Sequence, residues 1–290
     1  SNHSDAQWCG HEGSIHTVFF DAPIMRPETT AHKRIIAENC QVSSVSAELV
    51  GGCDPNSAMR ERAREILGDH PWVESLEELL DLGIDAAIVT SPDDTHEDIT
   101  CQLLEAGVGV YLEKPIAITI EGADRVLETA YRTRTPLYVG HNMRHMAVVR
   151  ILRQVIHDGL IGEVRAIWCR HFVGNGGDYY FKDWHADRSR TTGLLLQKAA
   201  HDIDVMNWLS DSVPERVVGM GDLMVYGKLT DRSGQRRDSV MSDWFSYENW
   251  PSESLTGLNP VIDVEDLSMF MMRQVSGTMI SYEHCHFTPD

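Results

Sequence analysis

The stretch VYLEKPIAI (110–118) breaks an apolar run at Glu113-Lys114-Pro115 and then returns to apolar residues. A lysine at the end of a buried strand, followed by a residue that fixes φ, is a cation set in place to polarise an oxygen or hold an anion. Two other runs end the same way, with Asp54 after AELVGGC and Thr90-Ser91-Pro92 after DAAIV. Open parallel sheets bind ligands beyond the carboxyl ends of their strands, so three polar strand ends point to one crevice. Further on, QKAAHDIDVMNWL places Gln197 and His201 four residues apart on one helix face, with Asp204 and Trp208 continuing it. An imidazole there could take or give a proton near neutral pH. Each residue alone has an ordinary role as a turn acid, a solvated lysine or a core histidine. Their convergence favours a site.

Two further signals are weaker. Trp168, Trp184 and Trp208 could line a sugar pocket, and core packing would use them equally well. HCHF puts His284 and His286 on one strand face. With no third ligand nearby in sequence, the reading is a sheet surface and no metal site.

The elements that must position these groups follow from periodicity. Between residues 46 and 142 strand-like runs alternate with helices. SAMRERAREILG closes at Gly68, SLEELLDLG closes at Gly83, and THEDITCQLLEAG carries Ile99, Leu103 and Leu104 on one face. EGADRVLETAYRT is read with Ala123, Val126, Leu127 and Ala130 inward. This alternation implies βαβ units and a parallel sheet, hence an α/β fold with a Rossmann-type dinucleotide-binding domain over 1–143. From 144 to 290 the pattern predicts an α+β domain on a largely antiparallel sheet. Its parts are a helix at MAVVRILRQVIHDG, a strand at GEVRAIWCRHF, the helix bearing His201, a polar loop over 230–259 and a hairpin turning near Ser276-Gly277.

Composition sets the outer bounds. The 290 residues leave room for two domains, and a net charge of −19 excludes a nucleic-acid partner, which needs a basic field. No apolar window is long enough to span a bilayer and no charged-then-apolar leader opens the chain, so no membrane association is expected. Six cysteines without a C-x-x-C pair predict a reducing, cytoplasmic setting.

The ordered series TSPDDTH, EKP, VGHNMRH and G-L-L-x-x-x-x-x-H-D-I-D resembles the glucose–fructose oxidoreductase and inositol dehydrogenase (Gfo/Idh/MocA) family over roughly residues 46–287, and especially its sugar- and polyol-directed branches. The resemblance implies an NAD(P)-dependent oxidoreductase acting on a secondary hydroxyl of a sugar, inositol or related polyol. It implies that Lys114 orients and polarises the substrate oxygen, while His201 accepts the hydroxyl proton. Asp54 would hold the adenosine ribose and favour NAD over NADP, because its charge repels a 2′-phosphate and no arginine follows it immediately. Thr90, Pro92, His96 and Glu113 would line the cofactor's path. Asn142 and Arg144 would sit near nicotinamide and substrate, with Gln197, Asp204 and Trp184 on the substrate side. The family also implies a homodimer or homotetramer through the second domain, and further strands and a helix beyond EHCHFTPD.

Two departures bear on that expectation. Many relatives carry aspartate where Gln197 stands, and glutamine can hydrogen-bond a sugar hydroxyl but cannot act as a base. The first βα turn, DAPIMRPE after HTVFF, has no glycine for a pyrophosphate to approach, and Asp21 adds a like charge; CGHEGS is a poor substitute. The turn leaves three alternatives: binding through an altered loop, lost cofactor binding in a regulatory sugar- or dinucleotide-binding relative, or a segment missing relative to the family. An NAD-dependent glycosidase of the same fold is a further alternative.

Overall fold

The computed structural model describes residues 15–21 as backbone, and residues 47–234 and 239–288. The first strand, β1 (Ile15–Asp21), contains the expected HTVFF run. The glycine-free turn, the helix expected at TTAHKRIIAENC and the CGHEGS segment lie outside the described residues.

Six strands form the first sheet: β1, β2 (Ala47–Cys53), β3 (Trp72–Val73), β4 (Ala86–Thr90), β5 (Gly109–Leu112) and β6 (Leu137–Val139). All pairings are parallel, in the order β3-β2-β1-β4-β5-β6. This is a doubly wound Rossmann order, whose direction reverses between β1 and β4 and opens a crevice at the strands' carboxyl ends. Strands β4 and β5 read as continuous apolar runs because helices cover both faces. Val89, Val110 and Leu112 share a core with Leu79, Leu103 and Leu104.

The helices start where side chains can satisfy free N–H groups. Helix α1 (Ser57–Leu67) is capped by Asn56, and α2 (Leu76–Leu80) by a Ser75–Glu78 capping box. Helix α3 (His96–Glu105) follows β4, and α4 (Ile120–Thr133) begins at Thr119. Gly68 and Gly83 take φ of 101° and 71°, the left-handed region expected where those helical segments stop. Helix α4 corrects one expectation: Gly122, Val126 and Thr129 face inward, Ala123 and Ala130 are half-buried, and Leu127 is 53% exposed. A side chain at Gly122 would strike Glu97 and Ala117, so the helix sits close and its buried stripe is narrow.

The second sheet contains β7 (Ala166–Phe172), β8 (Pro214–Asp222), β9 (Leu267–Gln274) and β10 (Met279–Cys285) in the order β7-β10-β9-β8. Only β7 with β10 is parallel, so the sheet is largely antiparallel, and the β9–β10 hairpin turns at Gly277 with φ 88°. Helix α5 (Ala147–His157) precedes the sheet; short α6 (Gly176–Tyr180) and α7 (Arg188–Thr191) lead into α8 (Leu194–Ser210). Ala199 and Met206 of α8 pack on Phe270, Met272, Ile280 and Tyr282. Among the described residues the segment between β8 and β9 has only short 3-10 turns, as the polar pattern predicted, and Asp266 anchors it by accepting the N–H groups of Met224, Val225 and Tyr226.

Two readings of this half change. His284 and His286 are each 1% exposed rather than on a sheet surface, because β10 turns its even residues toward α8. Trp168 lies on the opposite, open face, 79% exposed. No helix among the described residues is long and apolar enough to cross a membrane.

Candidate functional site

Lys114 leaves the end of β5, and its amine donates to the main-chain carbonyl of Gln197 at 2.6 Å. That carbonyl lies in the first turn of α8, so the strand end and the helix meet. Behind Lys114, the His96 ring spans two main-chain carbonyls, with Nδ1 2.7 Å from Pro115 O and Nε2 2.9 Å from Ser91 O. Carbonyls only accept, so the neutral ring donates to one of them. Burial holds His96 below the usual imidazole range. Its ring therefore fastens the turn after β4 to the turn after β5, and the Lys114–Pro115 peptide between them is cis.

Burial also lowers the pKa of Lys114; Asp93, Tyr180 and Glu113 oppose this, and the Lys198 charge adds to it. His201 stands one turn beyond Gln197, with Nδ1 buried and unpartnered. Burial first, then Lys114 and Lys198, push its imidazole down to about 3, so the ring is neutral at physiological pH. The Gln197 Oε1 is likewise buried without a partner. The His141 ring approaches His201 edge-on, with centroids 6.3 Å apart.

The other expected residues divide. Arg144 and Asp204, both expected to meet substrate, bind each other through two bonds of 2.6 and 2.5 Å, with the guanidinium 5.7 Å from the Trp208 ring. Asn142 opens a 3-10 turn and is exposed. Trp184 is buried and stacked on His185 at 3.8 Å, and its Nε1 has no partner. That combination leaves a polar edge inside an apolar wall.

On the cofactor side, Asp54 is buried at the end of β2; its Oδ1 accepts the Asn56 N–H at 2.7 Å. Arg60, six residues on, reaches back to the Asp54 carbonyl at 2.6 Å, so an arginine is present near this acid although none is adjacent in sequence. Thr90 Oγ1 is buried without a partner at the end of β4. Glu113 joins the strand ladder through its N–H to Val89 O at 2.9 Å, and Pro92 O accepts Thr95 N at 2.9 Å. The crevice at the reversal of strand order, the acid beyond β2 and the orphaned Thr90 hydroxyl fit a dinucleotide.

Several site residues escaped the sequence reading. Asp93, next to Pro92, is 3% exposed with Oδ2 unpartnered; burial pushes its carboxyl up to about 6 against the pull of Lys114 and His185. Asp183 Oδ1 lies 2.6 Å from His185 Nδ1, and both residues are buried. An aspartate two residues before a histidine was the available signal, but a 3-10 turn carries no hydrophobic period to mark its direction.

Comparison with known proteins agrees with this architecture. The family model described as "Oxidoreductase family, NAD-binding Rossmann fold" matches residues 29–141, and the "GFO/IDH/MocA C-terminal domain" model matches 149–290. The chain is 34% identical over 127 residues to inositol 2-dehydrogenase of Klebsiella pneumoniae subsp. pneumoniae, covering 43% of this chain and 35% of that protein. It is 32% identical over 178 residues to glucose-6-phosphate 3-dehydrogenase of Bacillus subtilis, covering 59% and 50%. Across the curated relatives it matches, the chain spans about a third to a half of their length. The WlbA dehydrogenase of Bordetella pertussis, solved with NADH and UDP-GlcNAcA, superposes with a TM-score of 0.73 at 20% identity, over 95% of this chain and 73% of that one.

Proposed function

The chain belongs to the Gfo/Idh/MocA family of NAD-binding Rossmann-fold oxidoreductases, and from that premise we propose that it interconverts a secondary hydroxyl of a sugar, inositol or related polyol with the corresponding ketone. The observation that carries this reading is the 2.6 Å contact from Lys114 to Gln197 O, one helical turn from His201. It brings a cation and a neutral imidazole to the same cleft. Lys114 orients and polarises the substrate oxygen, and His201 accepts the hydroxyl proton. The nicotinamide cofactor, when bound, supplies the hydride acceptor.

Asp54 would hold the adenosine ribose, which favours NAD over NADP. Thr90, Pro92, Glu113 and Asn142 would border the dinucleotide, and His96 contributes by locking the two turns beneath it. On the substrate side, Gln197 and Trp184 offer unpartnered polar atoms to hydroxyl groups. Arg144 and Asp204 act as a neutral pair that shapes the wall, since their charges are spent on each other.

Calorimetry with NAD, followed by turnover assays over a panel of polyols and sugars, tests this reading. Lys114→Ala is expected to keep measurable NAD binding while turnover falls by about 10²–10⁴-fold. An unchanged rate, or no NAD binding by the unaltered chain at millimolar cofactor, overturns it.

A further inference from the structure

Most cations around the cleft are already paired. Arg144 is held by Asp204, Lys182 by Asp178 at 2.6 Å, and Arg190 by Asp94 at 3.2 Å. Lys198 is different: among the described residues no carboxylate lies within ion-pair distance of its amine. It directly follows Gln197, whose carbonyl holds Lys114, and it precedes His201 by three residues and Asp202 by four, so it stands one turn from both. Asp202 is no substitute partner, because its Oδ2 accepts from His171 Nδ1 at 2.8 Å and from the Tyr282 hydroxyl at 2.7 Å.

Beyond Asp202 the rings continue in a row. His171 meets His284 at 5.5 Å between centroids, His284 meets His286 at 4.2 Å, and His286 meets Tyr180 at 4.9 Å. His284 Nε2 and both His286 nitrogens are buried and lack partners. Among the described residues, no carboxylate is hydrogen-bonded to the His284 or His286 side chain. We propose that Lys198, with the imidazole row beside it, forms a subsite for an anionic substituent of the substrate, a carboxylate or a phosphate on the sugar.

This inference rests on the dehydrogenase reading of the same cleft and narrows its substrate to an acidic sugar. Lys198 is a charge with no carboxylate beside it among the described residues, and the neutral imidazoles of the row can each offer one ring N–H to an anion. The Lys198 charge lowers the pKa of Lys114, His201, His284 and His286 alike. A negative group beside Lys198 relieves all of these at once, which a neutral hydroxyl cannot do. The overall charge of −19 gives the surface no general attraction for anions, so a local preference must come from such a subsite.

The test is equilibrium binding of D-glucuronate, D-glucose 6-phosphate and neutral D-glucose to the full chain, with and without Lys198→Met. At least one of the two acids is expected to bind ten-fold or more tighter than glucose. Lys198→Met should remove that advantage while leaving glucose binding within two-fold. Equal binding of all three probes, binding of none, or an equal loss for acid and neutral sugar in the variant overturns the subsite. NADH formation is scored separately. Acid binding that depends on Lys198, without NADH from any probe, keeps the subsite and defeats the dehydrogenase reading; NADH from glucose with no acid preference does the reverse.

Discussion

Asp93 and His201 are both buried close enough to Lys114 to feel its charge, and burial moves their titrations in opposite directions. Asp93 is pushed up from 3.8 to about 6. For an acid raised on folding, stability is greatest below the unfolded value and is lost as pH rises through the folded one. The carboxylate should therefore destabilise the native state at pH 7–8 and have no effect below about pH 4. Asp93→Asn is expected to stabilise the chain by about 1–3 kcal/mol at pH 8, with the gap closing as pH falls through 6. Urea unfolding at several pH values measures this; a gap that widens on acidification contradicts it. His201 has its imidazole lowered from 6.5 to about 3, foremost by burial. Its ring resonances should stay those of the neutral form from pH 8 down to pH 5, and a midpoint near 6.5 in an NMR titration would show the site to be open to water.

At the scale of elements, the strand ends were legible because period and punctuation mark them. Asp54, Thr90 and Lys114 each follow an apolar run that stops sharply, and the run's length limits the strand. The i, i+4 relation of Gln197 and His201 was legible for the same reason. Asp93, Asp183 and His185 were not, because they stand on short turns whose orientation is set by docking between segments far apart in sequence. Leu127 was misplaced because helix α4 packs through Gly122 and so buries a narrower stripe than its apolar content implies. His284 and His286 were given the correct shared face, but which side of β10 meets α8 is a tertiary fact. His96 shows what an element junction requires. Its ring bridges the carbonyls of Ser91 and Pro115, and it is 1% exposed. His96→Ala removes both contacts and opens a cavity, and should cost about 2–4 kcal/mol in chemical denaturation. A loss under about 0.5 kcal/mol would mean that the two turns hold their positions without it.

At the scale of the whole molecule, one face of the second sheet is left uncovered by the described residues. The strand pairings align Trp168, Ser281, Met271 and Val218 across four strands, and beside them Arg170, Glu283, Met269 and Met220. Trp168 is 79% exposed and Met220 80%, where an antiparallel sheet facing water ordinarily turns polar residues outward. Arg170 and Glu283 are 3.0 Å apart, so the charged residues of the second row offset each other. On a chain of net charge −19, such a patch is a place where two copies can approach without the repulsion that acts elsewhere. A flat sheet face can serve both partners of a two-fold interface with the same residues, which fits a homodimer, or a homotetramer if a second face joins. The expected result in sedimentation velocity is a dimer or larger species for the unaltered chain. Trp168→Glu combined with Met220→Glu should weaken association by at least about 100-fold, since a buried charge in an apolar interface has no partner. The melting temperature of the separated chain should stay high, because both side chains are exposed on the single chain. A chain that sediments as a monomer before any substitution would show that another partner, or none, covers this face.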